Sequence, residues 1–318
     1  MKHLTLLLWI GLLSFYSFGQ TRVEYYDHEW KKCDQKKASF SGQLTQTDSG
    51  IVVKDYYIAN GQLQMVGKYA DFDRKIKNGH FAYFFADGSI AQEGFVEANL
   101  RTGLWKTYHP NGQLKSQLYY LNDRAVGRQQ YWYSNGQLAD SVYINNDTLM
   151  RVHWYPNGVV FKVGPIDKTI KNPIHNWAYF RKNGTKMLEI VWDKNTKETS
   201  RTYYDEQGAP SPEYKGEKVV SFNYPSWEDY MKQNLKAPEH IEIPKGKKKI
   251  VVVAFNIDEN GEVANAFVKV PLHPEYDKIA LALLNSSPKG TAAKSGVRNP
   301  RWGNMTRIVD FDKIKKKK

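Results

Sequence analysis

Catalysis needs ionisable side chains at spacings that bring them together, and this chain offers few. His28, His80, His109, His153, His175, His240 and His273 are scattered, and none stands in the H-x-x-x-H or H-E-x-x-H pattern that sets two imidazoles around zinc. Glu189 with Asp193, and Asp258 with Glu259, are close carboxylate pairs. Paired carboxylates serve as acid and base in glycosidases. Here the first pair is expected to decorate a strand face and the second a solvated turn. A G-x-S-x-G elbow, a phosphate loop and a dinucleotide glycine motif are absent. The one cysteine, Cys33, rules out an internal disulfide and any disulfide framework. The expectation is a non-enzymatic protein with no cofactor and no metal.

In place of catalytic groups the chain carries aromatic rings at regular intervals. Aromatic residues make up 14% of the 318, with 21 Tyr and 9 Trp. Turn dipeptides recur at Asn60-Gly61, Asp87-Gly88, Asn111-Gly112, Asn135-Gly136, Asn157-Gly158, Asn183-Gly184 and Gln207-Gly208, with glycine spacings of 27, 24, 24, 22, 26 and 24. An aromatic stands four residues before the turn glycine at Phe84, Tyr108, Trp132, Trp154, Phe180 and Tyr204, and another stands seven before it at Phe81, Trp105 and Trp177. A leading glycine lies nine before it at Gly79, Gly103 and Gly127, and an aliphatic follows two after it. A fixed period of this length marks a repeat architecture. Trp105, Tyr108, Tyr131 and Trp132, from the two best-formed copies, are the candidate contact rings. They could stack on a glycan or flank a paired peptide. The competing account is that such rings fill the interior of the repeats.

The elements that position these rings follow from the same spacing. Asn-Gly suits the two positive-φ positions of a type I′ turn, and the flanking aromatic and aliphatic residues are strand formers. Each unit therefore reads as a β-hairpin, with the leading glycine letting the chain double back between units. A lone hairpin is marginal in water, so the units must stack into one long, twisted antiparallel sheet. The copy Gly103-Leu-Trp-Lys-Thr-Tyr-His-Pro-Asn-Gly-Gln-Leu114 resembles the MORN-repeat variant of bacterial exported proteins, of form G-x-W-x-x-Y-x-x-N-G-x-L. The likeness runs from about Tyr56 to Gly208, and it implies an interaction surface for protein or lipid partners. Residues from Glu24 to Ser49 are expected to form an irregular cap.

The pattern changes after Pro212. Trp227 to Leu235 reads as an amphipathic helix with Ser226 as its N-cap. Lys249–Ile257 and Val263–Val270 read as strands around the Asp258–Gly261 turn, His273–Asn285 as a helix, and Met305–Phe311 as a last strand. Asn234-Leu-Lys-Ala-Pro238, Val252-Val-Ala-Phe255 with Asp258-Glu-Asn-Gly-Glu-Val263, His273-Pro-Glu-Tyr-Asp277 and Ile308-Val-Asp-Phe311 resemble the TonB C-terminal domain. That resemblance implies docking by strand addition at a sheet edge, with an outer-membrane receptor or transport component as partner. The candidate edge is the last strand, with Met305, Ile308 and Phe311. TonB's energy coupling also needs an inner-membrane anchor and a proline-rich spacer, and the 13 prolines here form no run.

Lys2 and His3, the apolar stretch Leu4–Phe18 and the small-x-small end Ser17-Phe18-Gly19 make the three parts of a secretory signal. The mature chain is expected to begin near Gln20 and to lack a transmembrane span. The formal charge is +13, but Lys and Arg are spread along the chain, so solubility explains the excess and no nucleic-acid partner is expected. The expected class is mainly β with a C-terminal α+β domain. The expected division is 1–19 signal, 20–50 cap, 51–212 repeats, 222–312 TonB-like domain and 313–318 basic tail. The leading expectation is an exported protein, periplasmic or outer-membrane associated, that binds envelope proteins. A glycan- or cell-wall-binding repeat protein, and a TonB-type transducer with an uncleaved anchor, are the alternatives.

Overall fold

In a computed structural model of the chain, the described residues are 21–145, 148–169, 171–212, 219–220, 226–238, 240–257, 262–287, 293–294 and 305–313. The signal segment, the Asp258–Glu259 pair and the tail beyond Lys313 lie outside them.

Sixteen strands form one sheet: β1 (Thr21–Tyr26), β2 (Phe40–Thr47), β3 (Gly50–Tyr57), β4 (Leu63–Tyr69), β5 (Lys77–Phe84), β6 (Ile90–Glu97), β7 (Leu100–Tyr108), β8 (Leu114–Leu121), β9 (Arg124–Trp132), β10 (Leu138–Asn145), β11 (Thr148–Trp154), β12 (Val160–Pro165), β13 (His175–Phe180), β14 (Lys186–Trp192), β15 (Glu198–Tyr204) and β16 (Pro210–Ser211). Spatial order equals chain order, and every pairing is antiparallel, so the sheet is a run of stacked hairpins. The stretch expected to be an irregular cap instead contributes β1, which pairs with β2 over its whole length, and β2, which also pairs with β3 over its whole length. Period-two alternation in Phe40–Thr47 and Gly50–Tyr57 buries Phe40, Leu44, Ile51, Val53 and Tyr57 on one face.

That inner face holds the apolar rows. Val53, Gly67, Phe81 and Gly94 stand directly opposite one another across β3 to β6. Trp105 lies over Gly94, and Trp177 over Gly164. A ring spread flat over a neighbouring glycine buries itself without a second layer; Phe81, Trp105 and Trp177 are 0%, 6% and 2% exposed. The indoles of Trp105 and Trp177 donate to the carbonyls of Phe95 and Pro165 at 2.9 and 2.8 Å.

The two rims of the sheet differ from expectation. At the Asn-Gly turns only the glycine has positive φ, as at Gly112 (80°) and Gly136 (82°). His109 N–H donates to the Gln113 carbonyl and the His109 carbonyl accepts from Gly112 N–H, which is a type I turn closed by a left-handed glycine. The same two bonds close the turn at Tyr133, Gly136 and Gln137, where Ser134 stands in place of Pro110, so the turn type belongs to the repeat and the proline merely suits its second position. Positive φ at two successive residues occurs on the opposite rim, at Ala98-Asn99 and Asn122-Asp123. The leading glycines are not chain reversals either. Gly103 (φ 66°) and Gly127 (φ 64°) sit inside β7 and β9, where the register slips. Residue 94 alone faces residues 103–105, a bulge that keeps side-chain parity.

The C-terminal part contains α1 (Trp227–Asn234), β18 (Ile250–Ile257), β19 (Val263–Val270), α2 (Pro274–Asn285) and β21 (Met305–Asp310), in the order read from sequence; β17 (Val219–Val220) pairs with β20 (Ala293–Lys294). The sheet order is β19-β18-β21. Ser226 Oγ caps α1 and His273 caps α2, with Pro274 in the first turn. Val251, Val253, Tyr276, Ala280, Leu284 and Val309 form the core between sheet and helices. This part packs on the start of the array: Val270 joins Tyr26, Phe40 and Tyr57, and Phe267 meets Phe85 edge-on at 5.0 Å.

Candidate binding surface

Strand parity divides the candidate rings. Residues three apart on one strand face opposite ways, so Trp105 points inward while Tyr108 points outward. Tyr131 is an inner-face residue, opposite Asp140, whereas Trp132 is on the outer face. Trp105 is therefore spent on the core, and its ring is withdrawn from any contact role. Tyr108 and Trp132 are half-buried on the outer face.

The outer face is organised in rows. Glu93, Lys106, Gln117 and Gln130 stand directly opposite one another across β6 to β9. On one side of this polar row, Tyr108 and Trp132 lie two residues further along β7 and β9. On the other side, Phe95 and Tyr119 lie two residues along β6 and β8 and are 54% and 53% exposed, beside Leu121 at 60% and Val126 at 40%. The sequence signal for Phe95 and Tyr119 was their shared place seven residues after a turn glycine. Exposed large apolar groups clustered on one face, rather than scattered, are the informative case. Tyr108 Oη donates to Glu93 at 3.2 Å, and His80 lies edge-on to Phe95 at 5.1 Å.

The inner face carries a buried charged group instead of a cleft. Arg151 grips the Asp140 carboxylate with Nε and Nη2, the latter at 2.6 Å, and His153 Nδ1 lies 3.6 Å from the same carboxylate. Burial, with Lys162 and Arg151 nearby, pushes the His153 imidazole down to about 2, so the ring is neutral. Burial lowers Lys162 as well, and its Nζ sits over the Trp177 and Tyr179 rings at 5.6 and 5.9 Å. Glu189, on the outer face, is tied to Lys186 and to Tyr204, while Asp193 caps the next turn, so this carboxylate pair is structural. Among the described residues no three His, Cys, Asp or Glu side chains gather to hold a metal ion, and no helix is long and apolar enough to cross a membrane.

At the C-terminal sheet, Met305 is half-buried and Ile308 is 50% exposed, but Phe311 is 4% exposed, lies past the end of β21 and packs edge-on to Tyr276 at 4.7 Å. The edge of β21 is not bare. Trp227 Nε1 of α1 donates to the Ile308 carbonyl at 3.1 Å, and Lys313 meets Glu228 at 3.2 Å.

Residues 101–122, covering β7, its turn and β8, match the family described as MORN repeat variant. The chain is thus a repeat protein of a kind used for binding, and the matched copy is the one whose rings and turn are described above. No curated protein matches the chain.

Proposed function

We propose that the chain is an exported, non-enzymatic protein of a bacterial envelope, periplasmic or outer-membrane associated, in which the hairpin array is a platform and the C-terminal α+β domain docks to another envelope protein. The observation that carries this reading is the exposed part of the outer face of the array, combined with a small mixed domain whose last strand lies at its sheet edge with one edge carbonyl, that of Ile308, held by Trp227. A strand at an edge is a template for pairing with an incoming segment. The resemblance to the TonB C-terminal domain makes an outer-membrane receptor or transport component the partner to look for. The secretory pattern of the first 19 residues supports export.

The test is cross-linked capture from envelope extract with the tagged full-length protein. One dominant partner should be recovered, and Ile308→Arg, which places a charge on an exposed edge position without touching the core, should abolish its recovery. Equal recovery with Ile308→Arg sinks the docking role. Mass measurement of the exported protein should give a chain starting near Gln20; an intact Met1 would favour the anchored transducer.

A further inference from the structure

We infer that the outer face of β6 to β9 is a binding track for a linear, β-linked polysaccharide laid across the strands. This goes beyond the docking role proposed for the C-terminal domain and does not depend on it.

Three observations select this occupant. The first is periodicity. Tyr108 and Trp132 occupy the same row of the outer face on β7 and β9, because Lys106 and Gln130, two residues before each, belong to one continuous cross-strand register; Trp154 continues the row on β11, beyond the buried Ser141 and Val152. Strands lie about 4.8 Å apart, so rings on every second strand recur about every 10 Å. A β-linked glycan with alternating ring orientation presents the same face once per disaccharide, a step of the same size. The second is chemistry. Sugar rings pair apolar C–H faces with a rim of hydroxyls, so they need flat aromatic surface beside planar hydrogen-bonding groups. The track supplies both, with Lys106, Gln117 and Gln130 between the Tyr108–Trp132 bank and the exposed Tyr119 ring. The third is what the polar row excludes. A closely packed protein face, including a second copy of this sheet, would strip water from Glu93, Lys106, Gln117 and Gln130 at a cost in each case. A polymer of hydroxyls replaces that water group for group. Tyr119 is 53% exposed, so its ring is not explained by packing of the sheet.

The experiment measures retention of the full-length protein on insoluble chitin and on purified peptidoglycan, with amylose as an α-linked control of different path. Wild type should bind at least one β-linked polymer and not amylose. Tyr119→Ala should weaken that binding about tenfold, since a stacked ring is worth about 1 kcal/mol or somewhat more. Tyr119→Phe should retain it, and Gln117→Ala with Gln130→Ala should weaken it while leaving the melting temperature unchanged. Ile144→Ala, an exposed apolar residue of the opposite face at 66%, should have no effect. Wild type that ignores both β-linked polymers, equal binding by Tyr119→Ala, or a dimer that Tyr119→Ala dissolves would each overturn the assignment. Because Ile308 is untouched in every variant, failure here leaves the docking test standing.

Discussion

Three buried rings of the inner face, Phe81, Trp105 and Trp177, each depend on a glycine next to them. A β-carbon on Gly94 would stand 2.3 Å from the Trp105 ring, one on Gly67 2.2 Å from Phe81, and one on Gly164 2.5 Å from Trp177. All three meet rigid rings, so Gly94→Ala is expected to cost about 2 kcal/mol through overpacking, measured by urea unfolding. Trp105→Ala should cost about 3–5 kcal/mol by leaving a cavity. A Gly94→Ala protein as stable as wild type would mean the ring does not lie where it is described. His153 makes a second prediction at this scale. Its folded pKa of about 2 lies below the unfolded value of about 6.5, so the unfolded chain takes up a proton that the folded chain refuses. The stability it leaves intact is complete above about pH 6.5 and is lost as pH falls, by up to about 1.4 kcal/mol per pH unit. His153→Gln should therefore lose less melting temperature than wild type between pH 7.5 and 4.5. An identical loss would remove His153 from the account.

The hairpins are tied along both rims, and this level was only partly legible beforehand. The turn positions, the strand order and the helices of the C-terminal part follow from dipeptides and periodicity. The turn type did not, because Asn-Gly can fill the last two positions of a type I turn as well as the middle two of a type I′ turn, and the dipeptide alone does not say which. Nor were the two-residue turns at Ala98-Asn99 and Asn122-Asp123 signalled, since neither contains glycine. Strand parity, which separates buried Trp105 from outward Tyr108, was available in their three-residue spacing. The asparagine of four turns has a double task that only coordinates show. Its Oδ1 accepts from the backbone two residues on, as in Asn135 with Gln137, while its Nδ2 reaches the next turn: Asn60 to Ala86, Asn111 to Ser134, Asn135 to Pro156 and Asn157 to Lys182. Asn135→Asp keeps the first bond and removes the second, so it should cost up to about 1 kcal/mol. Asn135→Ala loses both and should cost more. Equal stabilities for the two variants in denaturant melts would show that the inter-turn bond carries nothing.

Across the whole molecule, the contact between the C-terminal part and the array joins residues nearly two hundred positions apart, Phe85 and Phe267, which is why no local pattern announced it. Phe267 belongs to an edge strand, so this contact also covers part of the β19 side of the small sheet. Phe267→Ala should release the C-terminal part from the array without unfolding either. The expected readout is faster protease cleavage between residues 212 and 226 at an unchanged far-ultraviolet spectrum; unchanged cleavage would show that Phe267 does not hold the two parts together. Phe85 has a further meaning. In the later hairpins its position is held by His109, Tyr133, Tyr155 and Arg181, each donating to a backbone carbonyl of the next hairpin. Phenylalanine has no such proton to give, and Asp87, where the others carry asparagine, has no amide. On the Asn-Gly rim, the second repeat hairpin is thus bonded to the third by neither device. In a stack whose cohesion is a chain of nearest-neighbour links, that step is where a pulled or heated array should first part, with β1 to β6 staying on one side together with the C-terminal part and the remaining strands peeling away as a block.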